Sequence, residues 1–279
     1  MTKPPNLDYF NECTRRADDR GGGAMSVAVY NPAVRAARVE PPDSLDFFPT
    51  PPPMTRALCE IVLPRLGIER GQMISVREPA AGEGHMAETL RGYFDTVYAS
   101  DVHDYGVGYP TCNYLTRGGL DLGDAAPVKR THWLITNPPF NEAADFFLRA
   151  VDEAKVGIAL LLRTQWQAGQ ERYSQIFKPH PPTLIAQFVE RIAMVKGRWD
   201  PAASTMTDYA WYVWLIADLA YARAASTVMW IPPVVKERFT LRDDLKRFAR
   251  EAPADAARRI DIVTQAELAR VGLERRGES

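Results

Sequence analysis

The chain has 279 residues, 46% of them apolar and 25% charged, and a net charge of −1; these are globular proportions, enough for one large core, and they exclude a fibrous or wholly disordered protein. No apolar run approaches the ~20 residues of a membrane-spanning helix, and the N-terminus lacks a signal-peptide layout, so a cytoplasmic protein without membrane contact is expected. Cys13, Cys59 and Cys112 lie far apart beside only four histidines, a spacing that predicts free thiols and no metal site.

Residues 1–45 carry Gly21, Gly22, Gly23, several prolines and little hydrophobic periodicity, and are read as a mobile arm. From Phe47 the pattern changes. Pro49, Pro51, Pro52 and Pro53 keep the entry extended, and Met54, Leu58, Ile61, Val62 and Leu66 then fall at helical spacing. Short apolar runs follow at 73–78, 96–100, 132–136, 156–162, 184–191 and 209–216, with helical stretches at 85–92, 142–154 and about 169–178. Strand and helix alternating in this way predict an α/β domain over residues 46–233 with a mainly parallel sheet covered on both faces. The runs at 184–191 and 209–216 are joined by a polar loop without helical pattern, which predicts an antiparallel hairpin at one edge. After one more apolar return, VMWIPP, residues 234–279 read as a charged tail holding one or two surface helices.

Three constellations carry chemistry. In Glu78–Leu90, EPAAGEGHMAETL, Gly82 and Gly84 permit a tight turn and close backbone approach to a ligand, with a helix N-terminus behind it. A third glycine at the helix start, which a dinucleotide's pyrophosphate would want, is missing. Glu78, at the strand end, repels phosphate and welcomes a cationic ligand such as a sulfonium with an ammonium group. Asp101 closes the next strand, where a carboxylate accepts ribose hydroxyls or merely caps a helix. Asp121 stands ahead of the following strand, either near a ligand's amino group or in a plain turn.

The third constellation is Asn137-Pro138-Pro139-Phe140. Two prolines at a strand end fix the backbone, remove two donors and leave carbonyl oxygens free; with the Asn137 side-chain oxygen they form an acceptor pocket. An aromatic amine is a poor nucleophile because its lone pair is delocalised, and acceptors for its protons turn the nitrogen toward a reactive tetrahedral form. Phe140 offers a flat face for stacking. A double-proline turn that simply ends a strand is the plain alternative.

FPTPPPMTRAL, EPAAGEG, Asp101 and TNPPF, in this order, resemble the amino-methyltransferases that act on adenine in DNA, in the arrangement where the cofactor motif precedes the catalytic one, and especially those of phages and prophages. The resemblance spans about Phe47 to Ile216, and TNPPF is its most specific part. It implies a Rossmann-like class I methyltransferase fold, a mainly parallel seven-stranded sheet with one antiparallel edge strand and helices on both faces. It implies S-adenosyl-L-methionine as cofactor, held by Thr50, Pro51, Glu78, Pro79, Ala80, Gly82, Gly84, Asp101, Val102, Asp121 and Asn137. It further implies a DNA partner whose target base is bound by Asn137, Pro138, Pro139 and Phe140. Members carry a loop between the last two strands that helps hold the flipped base; here Trp199 is its candidate aromatic, unless that ring packs the hairpin. Arg163 is a candidate substrate contact within a basic stretch, 156–199, that is equally read as a solvated face. Such DNA enzymes usually append a sizeable recognition region, and only residues 217–279 remain for it. RNA or a protein glutamine as substrate, and an inactive accessory subunit that keeps the fold, are the alternatives.

Overall fold

A computed structural model describes residues 46–116, 130–219 and 225–250. Residues 1–45, read above as an arm, Asp121 and the end of the tail lie outside the described residues.

The apolar runs form seven strands, β1 (Ser75–Glu78), β2 (Thr96–Ala99), β3 (Thr131–Thr136), β4 (Ala154–Arg163), β5 (Leu184–Phe188), β6 (Tyr209–Leu215) and β7 (Thr227–Ile231), in one sheet ordered β2-β1-β3-β4-β6-β5-β7. All pairings are parallel except those of β6, which runs antiparallel to both β4 and β5. This is a Rossmann-like α/β architecture. The antiparallel strand sits inside the sheet, since the late return VMWIPP forms β7 and extends the sheet beyond β5.

The strands serve two faces with period two. Trp133, Ile135, Ala159, Leu161, Trp211 and Val213 pack on one side against α1 (Pro52–Ala57) and α2 (His85–Leu90). Leu134, Ile158, Leu160, Tyr212 and Trp214 pack on the other, against α3 (Ala143–Glu153). Burial on both faces explains why β4 reads as an unbroken apolar run with no alternation. In α3 the buried residues are Ala143, Phe146, Phe147 and Ala150, a stripe at helical spacing. Pro52 and Pro53 open α1, where their missing N–H groups cost nothing, and the helix continues through a π-turn at Leu58–Val62.

Beyond residue 233 the described chain stays packed on this fold as α4 (Val235–Phe239) and α5 (Arg242–Phe248). Arg56 of α1 donates two hydrogen bonds to the Asp244 carboxylate, at 2.6 and 2.8 Å, and a third to the Phe239 carbonyl at 2.9 Å. Both partners are buried, so removing either one leaves an uncompensated charge, at a cost of about 3–5 kcal/mol. Among the described residues no helix is long and apolar enough to cross a membrane.

Candidate active site

The C-terminal ends of β1, β2 and β3 meet at one side of the sheet, where an open parallel sheet usually binds its ligand. They line a cleft holding about 920 Å³ of empty space, its open mouth included. Thr50, Glu78, Pro79, Ala80, Asp101, Val102, Asn137, Pro138, Pro139 and Phe140 all border it. Pro51 caps α1 just behind this wall.

Gly82 and Gly84, expected to lie close to a ligand, stand behind the wall and do not border the cleft. Both have positive φ, 52° and 87°, which side-chain-bearing residues rarely adopt, and a Cβ on them would run into the Phe47 ring and the Tyr109 hydroxyl respectively. The turn between them is held by the Gly84 amide donating to the Ala81 carbonyl at 2.8 Å.

Glu78 ends β1 with only 2% of its surface exposed, and its Oε2 is buried without a partner. Burial, reinforced by the nearby Asp101 carboxylate, raises its pKa well above the ordinary carboxylate value. Asp101 accepts hydrogen bonds from the Gly82 amide at 2.8 Å on Oδ2 and from the His103 amide at 3.0 Å on Oδ1. Burial raises its pKa as well, against the opposing pull of those amides. Each Asp101 oxygen keeps a further lone pair for a donor such as a ribose hydroxyl. A pair of buried acids lacking a cation among the described residues is arranged for a ligand that brings positive charge and hydroxyl donors.

Opposite this pair lies the turn after β3. The Asn137 Nδ2 donates to the Phe48 carbonyl at 3.0 Å, and this contact dictates which way the amide points. Its Oδ1 is left buried and without a hydrogen bond. Such an orphan acceptor costs stability unless a ligand supplies the donor. Pro138 is buried on the cleft wall. The Pro139 carbonyl differs from expectation: it accepts from the Glu142 amide at 3.0 Å, in the turn that starts α3. The free side-chain acceptor is therefore Asn137 Oδ1, with the Pro138 carbonyl next to it in the chain.

Phe140 meets Phe48 with ring centroids 5.3 Å apart. The ring is not bare: the Arg163 guanidinium carbon lies 3.9 Å from its centroid. Register explains this, for Thr136 pairs with Leu160 across β3 and β4, and the end of β4 is thereby carried level with the double-proline turn. One face expected for a stacked base is thus occupied by a cation.

Of its two readings, Trp199 follows the packed one. It is 3% exposed, packed with Leu245 and Phe248, and its carbonyl accepts from the Arg250 amide at 2.9 Å, so it joins the inter-strand loop to α5 and does not border the cleft. That loop reaches the site through other residues: Met194, whose sulfur is 3.7 Å from Asn137 Nδ2, and Gly197, whose amide donates to the Phe47 carbonyl at 2.9 Å.

Several cleft residues went unread in the sequence. Phe48 orients Asn137, Tyr105 lies on the wall and packs on Phe47 at 4.7 Å, and His85 stacks on Phe248 at 4.4 Å. Burial, aided by Arg250, lowers the His85 pKa to about 4, so its imidazole is neutral at physiological pH. Among the described residues no group of His, Cys, Asp and Glu is placed to hold a metal ion.

No family model and no curated protein matches the sequence. Among solved structures the chain is similar to one described as a class I S-adenosylmethionine-dependent methyltransferase from Listeria monocytogenes, with 12% identity and a TM-score of 0.44 over 67% of each chain. It is similar to a type I restriction-modification methyltransferase subunit from Streptococcus thermophilus, with 11% identity and a TM-score of 0.47 over 78% of this chain and 53% of that one. A structure described as the modification subunit of a type I restriction enzyme from Vibrio vulnificus aligns with 13% identity and a TM-score of 0.44, over 72% of this chain and 51% of that one. The chain thus spans about half the length of these two subunits.

Proposed function

We propose that the protein transfers a methyl group from S-adenosyl-L-methionine to an exocyclic amino nitrogen, that of adenine N6 in DNA. The observation that carries this reading is the buried, unpartnered Asn137 Oδ1, turned by the Phe48 carbonyl and set in the same cleft as the acid pair Glu78 and Asp101.

The residues fit the cofactor. Glu78 would face its cationic amino-acid end and Asp101, held by the Gly82 amide, its ribose hydroxyls. When bound, the sulfonium supplies an electrophilic methyl carbon. Asn137 Oδ1 and the Pro138 oxygen would accept hydrogen bonds from the two amino N–H groups and draw the nitrogen lone pair out of conjugation with the ring. Asn137 Oδ1 would also be the acceptor past which the amine's one surplus proton leaves to water. Alignment supplies most of the rate, and no strong base is required. A base within a duplex is out of reach of this pocket, so the target leaves the stack.

Incubation with methyl-labelled cofactor and, separately, duplex DNA, RNA and extract protein tests the reading. Label in DNA, mapped to adenine N6, is the expected result. Label confined to RNA or to glutamine would move the substrate, and cofactor binding with no label in any of them would replace the enzyme with an accessory subunit.

A further inference from the structure

Arg163 stands out among the charged groups near the cleft. It ends β4 beside the double-proline turn, with its guanidinium over Phe140 at 3.9 Å and over Phe48 at 5.9 Å. Arg191 and Arg198, in the loop that follows β5, are paired with Asp208 and Asp200. Among the described residues Arg163 has no carboxylate partner, neither Asp46 nor Glu142 at the cleft mouth serving it, and its Nε is buried without any hydrogen bond. A guanidinium is a planar fork that suits phosphate bidentately.

We propose that Arg163 binds the phosphodiester adjoining the target base, which marks the substrate as a phosphate-linked polymer and not an amino-acid side chain. The inference rests on the proposed nucleic-acid substrate and assigns it a specific anchor. A base stacking on Phe140 takes the ring face that the guanidinium covers in the empty protein. The displaced cation then finds in the phosphate the anionic partner that the described structure does not give it. A stacking contact with Phe140 is thereby exchanged for a charged one, which couples base entry to backbone capture.

The test is equilibrium binding of the full chain, with S-adenosylhomocysteine present, to mixed-sequence DNA duplex and to RNA of the same sequence over a range of salt concentrations. For Arg163→Gln the affinity falls about tenfold, and the slope of log affinity against log salt becomes shallower by about one unit, the signature of one lost phosphate contact. Arg163→Lys retains the wild-type slope, because the charge is kept. S-adenosylhomocysteine affinity is unchanged in both. A wild-type slope in Arg163→Gln, or an equal loss of slope in Arg163→Lys, overturns the assignment and leaves only ring packing. If the wild-type protein holds S-adenosylhomocysteine yet binds neither polymer, the nucleic-acid reading itself fails, and the anchor falls with it.

Discussion

Replacing Asn137 by alanine isolates the proposed chemistry. The substitution removes the unpartnered Asn137 Oδ1 and leaves the Pro138 carbonyl in place. By analogy with removal of a single donor from an oxyanion hole, the loss is about 2.7–4 kcal/mol in the transition state, or about 100- to 1,000-fold in kcat. A second, smaller effect follows from the 3.0 Å hydrogen bond to Phe48. Its loss costs about 1 kcal/mol and lowers Tm by about 2–4 °C. Single-turnover transfer of labelled methyl, with calorimetric cofactor titration on the same sample, separates the two. The cofactor Kd stays near wild type, because Glu78, Asp101 and the glycine turn are untouched. A variant that transfers methyl within about tenfold of wild type would sink the argument, as would a loss of cofactor binding parallel to the loss of rate.

The buried Glu78 makes cofactor binding pH-dependent. Its native pKa is raised, first by burial and then by Asp101, so its contribution to stability is full below the ordinary carboxylate range and is lost as pH rises through the raised native value. The cationic cofactor compensates the ionised group, and its thermal stabilisation therefore grows as pH rises across that window; Glu78→Gln flattens the trend, and a pH-independent shift in the wild type would contradict it. Asp101→Ala removes the acceptor tethered by Gly82 and His103 and weakens cofactor binding by about tenfold or more, as read by calorimetry, with DNA affinity unchanged. Trp199→Ala empties a buried position against Leu245 and Phe248 and costs about 3–5 kcal/mol of stability. Denaturant titration checks that figure, and an increased DNA requirement in the folded variant at low temperature would restore the ring to the substrate side.

The strands were legible because each is a short apolar run bounded by turn residues, and the sheet's central strands are buried on both faces. The place of β6 inside the sheet was not legible: it depends on VMWIPP pairing with β5, a contact between runs that no local pattern encodes. Glu78, Asp101 and Asn137 were readable as chemistry because each sits at a strand end beside a turn. The Pro139 carbonyl was misread, since a proline's missing N–H says nothing about who donates to its oxygen, and here the start of α3 does. Trp199 stayed open between base contact and packing because the segment that covers it, α5, is distant in sequence.

The residues that unify the site are the least conspicuous ones, the extended segment from Asp46 to Pro51. The Phe48 carbonyl orients Asn137, 89 positions away in the chain, and the Asp46 carboxylate accepts from the Phe140 amide at 3.2 Å. The Phe47 ring occupies the space that a Cβ on Gly82 would need, while its carbonyl accepts from Gly197 in the loop that follows β5. One strip of backbone therefore touches the glycine turn, the double-proline turn and the inter-strand loop at once. Because its prolines at 49 and 51 cannot donate, the segment has little to offer a sheet of its own. Its carbonyls are thus available to hold other residues in place, and displacing the strip would loosen the Asn137 amide and the glycine turn together.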